Sequence, residues 1–394
     1  MKKRVTSLIL IAVLVLSVCA VAYGVERYIV PDMTFGGDTI ELSLEKAIEI
    51  MKTEGSRAET AELNKLSDDA IAKGYAESAK SISDLLEKLS YIGGIEASSY
   101  AEQLGATDVN ERIVKLRRDF AREQLDANHQ AELNQIEAIT IESYYGVLQA
   151  EENLRVAKEN LANQQAIYKN TMKKYEKGTV AKFDTLFAET ELKNAENNVA
   201  YAETILKTAK MNFNMLLGFD LMQDVKLTDD LVALDLPEGT LTEFIEAALD
   251  NRNEIKATLF ARDIQEILLN NLKYRYPTNS STYLKQQVAF ETSKKTANDA
   301  PLQIEMEIRI KYMDLQDKKR AVEAAKVALA NAEEGFRLAS ITYDAGMNTI
   351  TDVQDAQIRC YQAGQAVAKA ITDYDLAIYA FKHAIGVGTT RIPL

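Results

Sequence analysis

The chain has 394 residues, is rich in helix-forming residues, and contains 17 Gly, 5 Pro and no Trp. Its formal net charge of −13 argues against nucleic acid as a partner, because nucleic-acid binding needs basic faces. No Gly-rich phosphate loop, metal-ligand spacing or nucleophile motif is present. We therefore predict that the protein is not an enzyme and that it uses no cofactor, catalytic residue or metal. His129 and His383 are expected to be packing or surface residues.

The N-terminus has the layout of an export signal. Three basic residues at positions 2–4 precede an apolar run. The run is about 15 residues, which is short for a spanning helix of about 20. We predict a signal peptide over 1–24, cleaved after Ala22 or Gly24. An uncleaved anchor and a lipoprotein signal at Cys19 are the alternatives.

Three helices are predicted in the first half of the chain. The first begins at Ser43, a suitable N-cap residue, and is expected to run to about Ser90, where glycines follow. The second is expected over about 108–176 and the third over about 181–217. Between them the chain reverses at Gly178, since Gly tolerates the left-handed turn conformation.

The second half repeats this arrangement. A helix opens at Leu241, and weak breaks are predicted at 276–279 and 298–301, because Pro interrupts helices. The chain is then expected to run as a helix to a turn at Gly346, and as another helix to Ile385.

The two halves are an internal repeat. Tyr175–Asp184 matches Tyr343–Asp352, each residue recurring 168 positions later, and the same offset relates Gly218 to Gly386. Missing such a repeat would misassign the fold. The predicted organisation is a signal peptide (1–24), an extended leader (25–40), a first helical repeat (41–218), a linker (219–239), a second helical repeat (240–388) and a tail (389–394).

The returning helices carry a coiled-coil seam with alternating spacings of three and four. The seam positions are Leu192, Ala195, Val199, Ala202, Leu206, Ala209, Phe213 and Leu216, and in the second copy Cys360, Ala363, Val367, Ala370, Tyr374, Ala377, Phe381 and Ala384. Cys360 takes the place of Leu192, so packing explains it. The predicted fold is all-α, built of tandem long antiparallel helical hairpins with little or no β-strand. One chain cannot cover all its apolar stripes, and closed cyclic symmetry would make a tube.

These residues resemble the TolC family of outer-membrane efflux proteins. The resemblance covers about 41–388 and rests on the two turn regions and on the openings at Leu42 and Leu241. It implies a homotrimeric coiled-coil α-barrel that acts as a passive exit duct for efflux or secretion. Its partners would be a membrane-fusion adaptor and an inner-membrane ABC or proton-driven pump. Its place would be the outer membrane and periplasm.

The resemblance also implies roles for particular residues. Asp352 and Asp355 would narrow the tunnel entrance as rings of carboxylates, although Asp352 also suits the first turn of a helix. Tyr343 and Asp184 would help hold the entrance shut by hydrogen bonding between adjacent hairpins, although ordinary seam packing also explains Tyr343. A member of the family has an arginine at the position of Asn348, so a charged contact that holds the entrance shut is not expected at that point. The residues implied for adaptor docking at the hairpin tips are Gly178, Thr179, Gly346 and Met347.

The end opposite the turns departs from the family pattern. Its windows, 91–108 and 274–300, do not alternate as membrane strands would. We therefore expect a β-barrel that is reduced or missing. The tube could then stand in the cell wall of a bacterium without an outer membrane, or it could be capped by another protein. The alternative function is an exported coiled-coil spacer or scaffold of the envelope without a lumen.

Overall fold

The computed structural model describes residues 34–394. The predicted signal peptide and most of the predicted leader lie outside the described residues. The helices of the described part are α1 (Leu44–Thr53), α2 (Ser56–Ile92), α3 (Gly94–Gln103), α4 (Asp108–Glu176), α5 (Lys182–Leu217), α6 (Leu241–Asn251), α7 (Asn253–Arg275), α8 (Ser281–Asp344) and α9 (Ile350–Ile385). The strands are β1 (Gly36–Leu42) and β2 (Gln223–Leu227), which pair in parallel. The mainly helical fold predicted from the sequence is confirmed.

Local capping explains where the long helices begin. The Thr107 hydroxyl accepts from the Asn110 N–H at 3.2 Å at the start of α4, and Ser280 does the same for Tyr283 at 3.3 Å at the start of α8. Each cap satisfies one of the backbone donors that a helix start leaves without a partner. With 69 and 64 residues, α4 and α8 extend for about 100 Å each.

Each long helix has two shorter helices packed along it, one after the other. On α4 these are α2 and α5, and on α8 they are α7 and α9. In the half of the molecule that contains the tight turns, the helices lie side by side in the order α5, α4, α9, α8. In the opposite half the order is α2, α4, α7, α8. The helices therefore form a four-helix layer, with α8 along one edge and with α2 and α5 along the other.

The largest apolar clusters lie where the shorter helices meet at mid-length. One cluster joins α1, α4, α5 and the strands, and includes Met51, Tyr144 and Phe213. The other joins α6, α8 and α9, and includes Ile308 and Phe381. Six of the sixteen predicted seam positions are buried and the other ten are half-buried. On α9, Ala368, Ile371 and Ile378, which lie beside the predicted seam, are buried as well.

Two groups of ionisable residues lie in this middle region. The Glu137 carboxylate on α4 faces Lys52 of α1 and His383 of α9, whose Nε2 is 3.4 Å away. The hydrogen bond to His383, together with the ammonium of Lys52, lowers the pKa of Glu137 to about 2, against the opposing effect of burial. Asp375 on α9 is fully buried and accepts from the Leu234 N–H at 2.9 Å. Burial raises the pKa of Asp375 to about 6.

The C-terminal tail returns along the first repeat. The Asn134 side chain donates to the Gly388 carbonyl at 2.8 Å. Asn128 and Ile392 pair reciprocally, at 2.9 Å in each direction. Arg391 forms an ion pair with Asp68, which is 1% exposed on α2. The tail thus ties the end of the second repeat to α2 and α4 of the first.

The structure corrects two predictions about breaks. The opening helix does not continue to Ser90, because it ends at Thr53 and a new helix begins at Ser56. Gly55 lies so close to the Met51 carbonyl that an added Cβ would be 2.8 Å from that oxygen. The predicted break at 298–301 is wrong, since α8 continues through Pro301.

Pro301 is accommodated because the packing of α8 on both sides outweighs one lost hydrogen bond. Buried Ala297 and Ala300 beside it leave room for close packing. The break at 276–279 is confirmed, since α7 ends at Arg275 and α8 starts at Ser281.

The windows at the end opposite the turns are largely helical. Residues 91–108 contain the end of α2 and all of α3, and residues 274–300 contain the start of α8. Among residues 34–394, no helix is both long enough and apolar enough to cross a bilayer.

Candidate functional site at the hairpin turns

The two tight turns have the same backbone geometry. Gly178 has φ +72° and Gly346 has φ +76°, a left-handed conformation that favours glycine. The Thr179 N–H donates to the Lys174 carbonyl at 2.9 Å, and the Met347 N–H donates to the Thr342 carbonyl at 2.9 Å. These bonds close both helices with the same C-terminal motif. The predicted tip residues thus lie at matching positions of the two repeats.

The acidic residues predicted after the turns cap their own helices. Asp352 accepts from the Thr349 N–H at 2.9 Å and from the Thr349 hydroxyl at 2.7 Å. These two bonds lower the pKa of Asp352, the hydroxyl contributing most. Asp184 accepts from the Ala181 N–H at 3.0 Å in the corresponding place of the first repeat. Asp352 and Asp355 are both exposed, and their role as a ring of carboxylates stays a prediction.

Tyr343 joins the two hairpins of one chain. Its hydroxyl is 3.1 Å from the Thr171 hydroxyl, and its side chain is buried. Burial raises its pKa, and the nearby charge of Asp184 adds to that effect. Asp184 thus lies near Tyr343, but the hydrogen-bond partner of the Tyr343 hydroxyl is Thr171. The predicted closing role of the Tyr343 and Asp184 pair stays a prediction.

Lys174 is a contact that the sequence reasoning missed. Its Nζ donates to the Tyr343 carbonyl at 2.5 Å, lies 3.8 Å from the centre of the Tyr343 ring, and is 3.4 Å from the Asp344 carboxylate. One ammonium therefore binds the second turn through an ion pair, a hydrogen bond and a ring face. A lysine in the last turn of a helix is expected for the helix dipole alone, so its position offered no further signal.

Amide side chains continue this junction away from the turns. Gln164 donates to Gln354 at 2.7 Å, and Gln357 donates to Asn160 at 3.0 Å, all four side chains being buried between α4 and α9. Asn348 donates to Thr342 at 2.7 Å within its own turn. The junction between the hairpins at this end therefore combines buried polar contacts with a small apolar cluster of Ile167, Tyr343, Ile350 and Val353.

The fold and this junction define a class: elongated subunits built of duplicated helical hairpins, joined near the turns. The family model described as outer membrane efflux protein matches the chain twice, over residues 104–218 and 276–387. The matches together cover more than half of the chain, and the protein belongs to this outer membrane efflux protein family, that of TolC.

Individual relatives agree with this assignment. The outer membrane protein TolC of Vibrio cholerae is 25% identical over 302 residues, which are 74% of this chain and 66% of that protein. The chain thus spans slightly less than two thirds of that relative's length.

Two solved structures show the same fold. CusC, described as forming a transmembrane channel, superposes with a TM-score of 0.66 at 12% identity, over 92% of this chain and 96% of that one. The outer membrane protein VceC of Vibrio cholerae superposes with a TM-score of 0.62 at 13% identity, over 88% of this chain and 97% of that one.

Proposed function

We propose that this chain is one subunit of a homotrimeric exit duct, a passive conduit for efflux or secretion across the cell envelope. The observation that carries the proposal is that both edges of the four-helix layer expose apolar stripes. On α8 the stripe is Leu302, Met306, Ile310 and Met313, and on the other edge it includes Leu63 and Leu66 of α2 and Phe183, Leu186 and Tyr201 of α5.

The α8 stripe lies on the face opposite the one that packs inside the chain. Ile304, Ile308 and Leu315 are buried, whereas Leu302 and Met306 are 64% and 58% exposed. At 100° per residue, the exposed set and the buried set point about 180° apart. A helix that is apolar on two opposite faces packs between two neighbours. The second neighbour is the α2 and α5 edge of another copy.

Edge-to-edge contacts of this kind are heterologous, and they close into a ring when the rotation allows it. Channels of this family are homotrimers. Three four-helix layers would place about twelve helices in a ring, and axes about 9–10 Å apart give a circumference of about 115 Å. The free lumen is then about 26 Å across after about 10 Å of helix thickness is subtracted. Such a hole passes small molecules or an unfolded chain.

Within this duct we assign the turns to the entrance. Gly178, Thr179, Gly346 and Met347 would form the tips that meet a membrane-fusion adaptor. Asp352 and Asp355 would face the lumen as rings of carboxylates, which repel one another and attract cations. The inner-membrane pump, of the ABC or proton-driven type, would supply the energy. The duct would stand in the outer membrane and periplasm, or in the cell wall where no outer membrane exists.

The proposal is tested by the assembly and shape of the purified protein. We expect a trimer by light scattering and an axial hole by electron microscopy. A single folded subunit or a solid rod would overturn the duct and favour an envelope spacer.

A matched pair of variants tests the edge contact. Met306→Lys places a charge in the interface and should abolish the trimer, because a buried unpaired charge costs several kcal/mol. Gln303→Lys, at an exposed position of the same helix beside the stripe, should assemble normally. In a deletion strain, Gln303→Lys should restore export of a panel of dyes and Met306→Lys should not. Unchanged export after deletion would contradict the role in transport.

A further inference from the structure

A cavity of about 810 Å³ lies at mid-length, where residues 228–235 of the segment between the repeats meet α1, α4 and α9. Tyr144, Tyr145 and Leu148 of α4 form its buried side, and the half-buried side chain of Tyr379 on α9 lies beside them. Sites for small molecules typically occupy about 300–1,000 Å³ and are lined mainly by apolar and aromatic side chains. This cavity, which we call the linker cavity, has the size and the lining of such a site.

The ionisable side chains of Asp and Glu that line the linker cavity give it a negative charge. They are Glu45, Asp229, Asp230 and Asp235. Within the described residues, no Lys, Arg or His lines the cavity. Asp229 is engaged by the protein itself, since it accepts from the Leu44 N–H at 2.8 Å and from the Tyr144 hydroxyl at 2.7 Å. The other three carboxylates are exposed and form no ion pair with any residue that the structure describes, so their charges are uncompensated.

A buried carboxylate adds negative charge behind this lining. One oxygen of Asp375, which is fully buried, accepts from the N–H of Leu234, a residue that lines the cavity. The other oxygen has no hydrogen-bond partner among the described residues. Burial raises the pKa of Tyr145 and of Tyr379, and the charge of Asp375 adds to both shifts. The wall of the cavity is therefore negative from its inner side as well.

The linker cavity is not part of the edges along which copies of the chain would associate. No residue of the two apolar stripes lines it, and α4 and α9 are inner helices of the layer. It is also separate from the carboxylates at the turns, since Tyr379 lies about 40 Å along α9 from Asp352. The cavity is therefore a property of a single chain and does not require the proposed assembly.

We propose that the linker cavity binds an organic cation with an apolar body, such as an alkyl or aryl amine. The ammonium group would lie among the carboxylates, whose attraction is stronger beside a low-dielectric wall than in bulk water. The face of the Tyr379 ring attracts cations as well, and Leu148 and Ile48 offer apolar surface to the body of the amine. A metal ion fits less well, because no group of three acidic, His or Cys side chains among the described residues could hold one.

The test is saturation-transfer NMR on the purified full-length protein, with phenethylammonium as the probe and 2-phenylethanol as its neutral counterpart. We expect phenethylammonium to bind at least about tenfold more tightly than the alcohol, and its binding to weaken as salt is raised. The double variant Asp230→Asn with Asp235→Asn should weaken binding at least about fivefold. Glu246→Gln with Asp250→Asn removes the same charge from exposed positions on α6 and should bind as the wild type does.

The ring and the location are tested separately. Tyr379→Phe keeps the ring and should bind as the wild type does, whereas Tyr379→Leu should weaken binding at least about threefold. In the wild type, phenethylammonium should slow hydrogen exchange over residues 228–235. Equal binding of the alcohol, equal weakening by the α6 variant, or absence of binding by the wild type would overturn the proposal. Displacement of the probe by Mg²⁺ at matched ionic strength would also overturn it, because that result would indicate a metal site.

Discussion

The C-terminal tail offers a quantitative test of how the two repeats hold together. Arg391 is the cation that faces Asp68, and Asp68 is 1% exposed. Asp68 also accepts from the Asn128 side chain at 3.0 Å. Arg391→Ala removes the cation and leaves the carboxylate buried with one amide partner. Removal of one member of a buried pair costs about 3–5 kcal/mol, because a charge remains without compensation.

The cost at this site should fall at or below the lower end of that range. The Arg391 side chain is 36% exposed, so water can enter and solvate part of the Asp68 charge after the change. We therefore expect Arg391→Ala to lower the free energy of unfolding by about 2–3 kcal/mol. Asp68→Asn together with Arg391→Ala removes both charges of this pair and should recover part of that loss. The remainder is expected to persist because Glu132, 3.2 Å from the Arg391 guanidinium, also loses its cation.

The assay is urea unfolding followed by far-ultraviolet circular dichroism at one fixed protein concentration, because association adds to apparent stability by mass action. Arg155→Ala is the control. Arg155 pairs with Glu152 at 2.7 Å and with Glu159 at 2.6 Å on the exposed face of α4, and such pairs contribute less than about 1 kcal/mol. If Arg391→Ala costs no more than the control, or if the double variant is no more stable than the single one, the tail is not a clamp on Asp68.

Three further outcomes follow from the ionisable groups. The pKa of Glu137 is lowered to about 2, so its stabilisation is present above pH 4.5 and is lost as the pH falls toward 2. In Glu137→Gln the free energy of unfolding from urea titrations should change less across that pH window than in the wild type, by up to about 3 kcal/mol. The pKa of Asp375 is raised to about 6, so stability falls as the pH rises from 3.8 through 6. Asp375→Asn keeps the acceptor for Leu234 and should be more stable than the wild type at pH 8, and a lower urea midpoint there would contradict this. Lys174→Met removes the ammonium beside Tyr343 and should speed hydrogen exchange over residues 340–350 about tenfold; unchanged exchange would show that the ammonium does not hold this turn.

The long helices were predictable because their ends depend on local chemistry. Thr107 begins α4 as an N-cap, and Gly178 and Gly346 supply the left-handed conformation that each turn needs. These signals involve residues within one turn of each other, so the sequence shows them directly. Gly55 and Pro301 were misjudged because their outcome depends on tertiary packing. Gly55 separates α1 from α2, whereas Pro301 is accommodated within α8.

The residues of the candidate site also fall into two groups, those that the sequence shows directly and those that only the fold brings together. Asp184 and Asp352 recur at the same place in both repeats, and each caps a helix three residues from its start. A repeat makes such positions visible. The contact of Lys174 with Tyr343 joins residues 169 positions apart, and neither residue type is unusual where it stands. No periodicity or spacing signals a pair of that kind, because it exists only once two hairpins lie side by side.

The two ends of the junction differ in the free energy that is needed to separate the two hairpins. At mid-length the repeats are held by large apolar clusters that include Tyr145 and Tyr379, whose rings are 6.2 Å apart. Separation there would expose apolar area, at about 25 cal/mol per Å². Near the turns the apolar cluster is smaller, and amide pairs such as Gln164 with Gln354 lie beside it. Each such hydrogen bond contributes about 1 kcal/mol net, because water replaces it. We therefore expect thermal separation of the two hairpins to begin near the turns, where less apolar area is exposed, and to stop at the apolar middle.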